Sequence, residues 1–375
     1  MLFWIIIVTI LLFLILFLDS KYISLVWVLL GIISAFRYNV GTDYVSYEEM
    51  FNGVATNTLP AVWISKEKGF LWLLEFVHML GGNFQAICLI TTVMIMCFSY
   101  YGFKFILKDK PDYLPLLTLL YISGFYFFSL NAIRQSIAVS IFIFSVRYIY
   151  EQKPVKYFML VLMAFFFHKS AIILFPLYWF LNIRLSRIAI VGLVAISIGL
   201  LAFNPFDTLK NMFSVYDLMY SRYFSDDTLS VSTTMLGRAI SIASSIGFLF
   251  VGALLDRNDR IQNIIFNSVI IFIILRLVSL DLSVMNRLAV YFKPMIIVFI
   301  LLIIMSLINN VKDIKLVTVF LLIVLSFSYS NYVSYIRANR DGSYNHYTIN
   351  LCITGRACPV EVYGDYKDLY YKGEQ

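Results

Sequence analysis

Arginines stand at or near the ends of apolar segments throughout this chain, and their company suggests a chemistry. Arg37 closes one segment and leads into Tyr38, Asn39, Val40, Gly41, Thr42 and Asp43, while Arg134, beside Gln135, opens another in SLNAIRQSIAVS. Arg222 lies in a polar connection (YSRYF), Arg238 and Arg276 lie inside apolar segments, and Arg287 begins one in MNRLAVYF. His168 stands at a segment end in FFFHKSAIILFP. Guanidinium groups match phosphate oxygens in bidentate fashion and stay charged at any relevant pH. An imidazole, with an ordinary pKa of about 6.5, can take a proton from a hydroxyl near neutrality. Asp43 is the competing base, or the residue that orients an acceptor. Singly, each has a plainer role. Arginines at helix ends snorkel to headgroups, a histidine there packs and hydrogen-bonds, and Asp43 caps a helix beginning near Tyr44. Tyr44 and Tyr47 either stack on a ligand's rings or anchor at an interface. As a set, cations drawn from different segments point to one cavity for a polyanion such as a lipid diphosphate. Neutralising a leaving diphosphate speeds transfer of the group attached to it.

The elements that must position these residues follow from composition. Hydrophobic residues fill 61% of the 375 positions and charged residues 14%, against about half and a quarter in a soluble domain. The surplus has to face something other than water. A spanning helix needs about 20 mostly apolar residues. Such segments run near 2–18, 22–36, 84–106, 113–129, 131–150, 154–167, 170–183, 187–203, 235–255, 261–280, 287–308 and 313–332. The expectation is an all-α, polytopic integral membrane protein of about twelve transmembrane helices. Phe70–Leu80 is apolar but short, and Gly81-Gly82-Asn83 stops it, so it reads as a re-entrant or interfacial helix. The N-terminus lacks a basic n-region and a small-x-small cleavage site, and reads as a retained first span.

Short basic connections alternate along the chain: Lys104/Lys108/Lys110, Arg147/Lys153/Lys156, Arg184/Arg187, Arg257/Arg260 and Lys312/Lys315. They fall on one side if Phe70–Leu80 does not cross, and that side should be the cytoplasm. This accounts for the formal charge of +7 without a nucleic-acid partner. Both termini and the longer connections then lie outside, so aqueous chemistry belongs on the outer face. The expected division is a transmembrane domain over 1–332 and a polar extracytoplasmic tail over 333–375. In that tail Cys352 and Cys358 either close a small disulfide loop or remain free thiols. No D-x-D pair that would hold a divalent metal faces outward, and no metal or cofactor is expected. Asp226-Asp227 reads as a loop turn.

The runs RYNVGTDYVSYEEMF, Glu67-Lys68-Gly69-Phe70, NAIRQSIAVSIFIFSVRYI and FFFHKSAIILFPLYW resemble the EpsG family of polysaccharide polymerases, which is related in role to the Wzy-type O-antigen polymerases. Arg37, Gly41, Asp43, Tyr44 and Tyr47 match the first motif, Arg134 and Gln135 the second, His168 and Ser170 the third; NRLAVYF, with Arg287, matches a later segment more loosely. The resemblance covers about residues 1–332 and leaves out the tail. It implies a glycosyltransferase of the cytoplasmic membrane that needs no nucleotide-sugar donor. Such an enzyme takes an oligosaccharide repeat unit from undecaprenyl diphosphate and joins it to another lipid-linked unit on the outer face, making O-antigen, capsule or exopolysaccharide. Membrane lipid and a chain-length regulator are the further partners it implies. On this reading Arg134, Arg222 and Arg287 bind the diphosphate, with Arg37 and Arg276 in reserve; Gln135, Tyr44 and Tyr47 complete the binding set; and His168 is the base, with Asp43 its rival. A transporter or flippase of the same lipid would also need a cationic cavity, although no two-fold internal repeat is visible. An O-antigen ligase-like enzyme would share the donor, and an acyltransferase could also place a histidine among outer helix ends.

Overall fold

The computed structural model of the protein describes residues 20–41, 43–59, 67–203, 235–252, 255–280, 284–310 and 348–349. The expected spans 2–18 and 313–332, Arg222, Cys352 and Cys358 lie outside the described residues. Helix α1 (Ile23–Ala35) runs into a two-residue strand, β1 (Arg37–Tyr38). Helices α2 (Tyr44–Ala55), α3 (Lys68–Met79), α4 (Phe84–Ile106), α5 (Pro111–Asn131), α6 (Ile133–Tyr150) and α7 (Pro154–Phe167) follow. After a 3-10 turn over Lys169–Leu174 come α8 (Leu177–Phe180), α9 (Arg187–Phe203), α10 (Met235–Gly252) and α11 (Arg260–Val278). Helices α12 (Val284–Ala289) and α13 (Lys293–Asn310) are joined through a 3-10 turn. Strand β2 (Thr348–Ile349) pairs antiparallel with β1, Arg37 opposite Ile349.

Four described helices are long and apolar enough to cross a membrane: Phe84–Ile106, Pro111–Asn131, Arg260–Val278 and the continuous stretch Met285–Ser306. Shorter apolar helices cover Ser20–Ala35, Pro154–Phe167, Arg187–Gly199 and Ser241–Gly252. The outward side of α7 carries Val155, Met159, Leu162 and Phe166, all exposed and spaced for one helical face. An apolar stripe of that kind suits hydrocarbon and not water. The chain is therefore a membrane-embedded helical protein. Helix α3, with 12 residues, is about 18 Å long, short of the roughly 30 Å hydrocarbon core, as expected of an interfacial element. The expected span over 170–183 is not one helix. His168 leaves helical geometry (φ −153°, ψ 114°), a 3-10 turn follows, and Pro176, which has no N–H to donate, precedes the single turn of α8.

The centre of the bundle is α6, packed between α4 and α7. From Gln135 and Ser136 through Ala138 and Ser140 to Ile143 it is buried on every side, as a helix surrounded by others must be. Small residues let its neighbours approach: a Cβ on Gly102 of α4 would stand 2.8 Å from the backbone carbon of Ile143. Buried polar pairs tie α1 to α5. Trp27 Nε1 donates to Thr118 Oγ1 (3.0 Å), Ser34 Oγ to Tyr126 OH (3.0 Å), and Tyr126 OH to Leu30 O (3.1 Å).

Basic connections gather at one end. Arg260 donates to Ile149 O (3.2 Å) and Asn182 Oδ1 (2.6 Å), Lys108 lies 4.1 Å from the Tyr150 ring centre, and Arg147 lies 5.6 Å from that of Phe105. The turns α4–α5, α6–α7, α8–α9 and α10–α11 therefore share one face of the bundle.

Candidate functional site

At the other ends of α6 and α7, two backbone breaks present polar side chains. Helices α5 and α6 are separated by Ala132 (φ −82°, ψ 66°), so Arg134 falls in the first turn of α6. That is the positive end of a helix dipole, where a cation is disfavoured without a counter-charge. The second break is His168. Its backbone N–H still bonds Ala164 O (2.9 Å), while its carbonyl accepts from Ala171 N–H (2.9 Å) to begin the 3-10 turn. Tyr157 OH fastens the far end of that turn by donating to Leu174 O (2.6 Å).

Glu67 lies between them. Its Oε2 accepts from Arg134 Nη1 in an ion pair, and its Oε1 lies 3.0 Å from His168 Nδ1. All three side chains are mostly buried, Glu67 at 10% exposure, His168 at 17% and Arg134 at 18%. Burial opposes ionisation of the Glu67 carboxyl, but the His168 hydrogen bond and the Arg134 charge outweigh it and hold its pKa down at about 2. The glycine two residues on makes this approach feasible. A Cβ on Gly69 would stand 2.8 Å from Phe166 O, so α3 can begin against the end of α7 only because that side chain is absent.

Neighbouring contacts brace the cluster. Gln135 Nε2 donates to Arg287 O (2.6 Å), and Ser170 Oγ lies 3.0 Å from Tyr291 OH, which fasten the starts of α6 and of the 3-10 turn to α12 and its following turn. The Arg134 guanidinium stands 5.5 Å from the Tyr47 ring centre, and the Tyr47 ring is 5.5 Å from Phe70. Burial raises the Tyr47 hydroxyl pKa above its ordinary value, with Arg134 offsetting only part of the effect. Asp43 lies within the electrostatic reach of Arg134, and its backbone N–H donates to Asn131 Oδ1 (2.9 Å). Helix α2 does begin at Tyr44, yet the Asp43 carboxylate makes no capping bond to it.

Residues read from the sequence therefore divide. Arg134, Gln135, His168 and Tyr47 come together, with the Arg287 backbone joined to them; Arg287 itself is exposed. Tyr44 is buried edge-on to Phe84 (5.1 Å) and Tyr38 (5.8 Å). Arg37 is buried and turns inward, donating from Nη1 to Ser34 O at the C-terminal end of α1, while its Nε has no partner. Gln85 donates to the Ala35 and Arg37 carbonyls beside it. Arg276 is exposed at the end of α11, and Arg238 is half-buried on α10. Neither type nor position marks Glu67 in the sequence; its one signal is the Glu-x-Gly-aromatic run.

The EpsG family model matches residues 20–348, most of the chain. The chain belongs to the EpsG family. Members of the EpsG family are Wzy-like polymerases, which gives this membrane-embedded chain a polysaccharide polymerase-like function. Among curated proteins and among solved structures nothing matches it. The EpsG match takes in Glu67, Arg134 and His168 together. Chemically, the cluster offers an imidazole held by a fixed carboxylate and a guanidinium at a helix start, a set suited to moving a proton beside an anion.

Proposed function

We propose that the protein polymerises lipid-linked oligosaccharide repeat units at the outer face of the cytoplasmic membrane, taking glycan from undecaprenyl diphosphate and adding it to a second lipid-linked unit. The observation that carries this reading is the Glu67–Arg134–His168 cluster in an EpsG-family chain, at helix ends opposite the basic connections. Short basic loops mark a cytoplasmic side, which turns the cluster outward, where lipid-linked units would be presented. The transmembrane unit over 1–332 performs the reaction, and the tail over 333–375 lies on the same outer side.

His168 accepts the proton of an acceptor hydroxyl as its oxygen attacks the anomeric carbon; the bond from that carbon to the phosphate oxygen breaks, and its electron pair departs with the diphosphate. Arg134, Arg222 and Arg287 receive the diphosphate charge. Arg37 and Arg276 stay in reserve, the first because its guanidinium is engaged with Ser34 O. Asp43 orients the acceptor sugar, with Gln135, Tyr44 and Tyr47 around it.

Complementation of a polymerase-deficient strain with His168→Ala, Arg134→Ala and Asp43→Asn tests this. At normal expression, His168→Ala is expected to lose the long-chain ladder, with a rate loss of about 10²- to 10⁴-fold, and Arg134→Ala to lose it too, while Asp43→Asn shortens it. Long ladders from all three would sink the site.

A further inference from the structure

The carboxylate at the centre of the cluster does more than pair a charge. We infer that Glu67 is a positioning residue that fixes His168 with its proton on Nδ1, leaving Nε2 as the atom that takes the acceptor's proton, while the same carboxylate restrains Arg134. The chemical consequence rests on the glycosyl-transfer reading above; the geometry does not.

An ionised carboxylate only accepts hydrogen bonds. With Glu67 Oε1 3.0 Å from His168 Nδ1, the hydrogen between them must come from the imidazole. In a neutral ring the lone pair is then on Nε2, which makes no hydrogen bond among the described residues. Each Glu67 oxygen has its own partner, one the imidazole and one the guanidinium. This arrangement also argues against Glu67 as the base. A carboxylate held far below the ordinary range, with both oxygens engaged, is a weak proton acceptor.

In the transfer step, the acceptor O–H hydrogen passes to Nε2 as the oxygen bonds the anomeric carbon. The diphosphate leaves with the electrons of the broken bond, and the imidazolium formed is stabilised by Glu67 until its proton passes to water. Other groups near the carboxylate are Tyr291, Tyr47 and Asp43, the last two through Arg134.

The test uses the full-length protein in nanodiscs, labelled with ¹⁵N-histidine, with His168 assigned by difference against His168→Gln. Wild type is expected to show a protonated Nδ1 and an unprotonated Nε2 in the neutral ring, and Glu67→Gln to lose that preference. In elongation assays Glu67→Gln should lower kcat by about 10²- to 10⁴-fold with little change in KM, and should add no further loss to His168→Ala. Glu67→Asp keeps the charge, so its tautomer should survive with a smaller kcat loss; it also serves if Glu67→Gln fails to fold. Unchanged ¹⁵N shifts in Glu67→Gln, or losses that multiply with those of His168→Ala, would overturn the inference. Wild-type elongation by His168→Ala would instead remove the base from the polymerase reading, with the NMR result still deciding what Glu67 does to the ring.

Discussion

A buried carboxylate shared by a guanidinium and an imidazole costs more to remove than either pair alone suggests, because removal leaves a charge without its partner. Arg134 and Glu67 are each mostly buried, and breaking such a pair from one side costs about 3–5 kcal/mol. Glu67 has a folded-state pKa of about 2, below its ordinary 4.5. Because the folded value is the depressed one, its contribution is full above about pH 4.5 and fades as pH falls towards 2. The difference in thermal midpoint between wild type and Glu67→Gln should therefore not shrink from pH 8 to about 4.5, and should shrink below it. A difference that shrinks already between pH 7 and 5 would contradict this account of the pair. At this scale the sequence disclosed the residues that chemistry makes rare in a membrane, Arg134 and His168, and not their partner. Glu67 sits in a polar connection, where a carboxylate raises no question. Arg37 shows the converse: its type was visible, but its inward turn depends on the Ser34 carbonyl, whose availability only the end of α1 determines.

The site is assembled by interruptions in helices. Ala132 separates α5 from α6, His168 ends α7, and α3 begins against that end at Gly69. Hydropathy reads through such breaks. The segment 170–183 looked like a span because its residues are apolar, whereas the backbone follows His168 and Pro176 into short turns. The contact at Gly69 gives the sharpest prediction at this scale. Gly69→Ala places a methyl 2.8 Å from a backbone oxygen, so α3 must move and carry Glu67 with it. The expected result is a loss of about 1–3 kcal/mol in stability and of about 10²-fold in elongation rate. Gly192→Ala on α9, where a Cβ meets nothing within 4 Å, is the control; helix propensity makes it neutral or stabilising by up to about 1 kcal/mol. Equal effects from the two substitutions would mean that the α3–α7 contact does not position the site.

For the molecule as a whole, composition is enough to give a membrane-embedded helical protein, and the structure brings four basic connections together at one end. The grouping was legible because charged loops are sorted by a bilayer, a physical constraint that acts on sequence directly. Which polar groups meet was not legible, since that depends on how α3, α6 and α7 cross. The proposed reaction joins lipid-linked glycans at this cluster in an EpsG-family chain. Its most direct test is reconstitution of the purified protein in liposomes with purified undecaprenyl-diphosphate-linked repeat units, scored on gels for products of increasing length. Wild type is expected to give a ladder, and His168→Ala and Glu67→Gln none. A single addition without a ladder, translocation of the lipid without bond formation, or a ladder unaffected by both substitutions would contradict it.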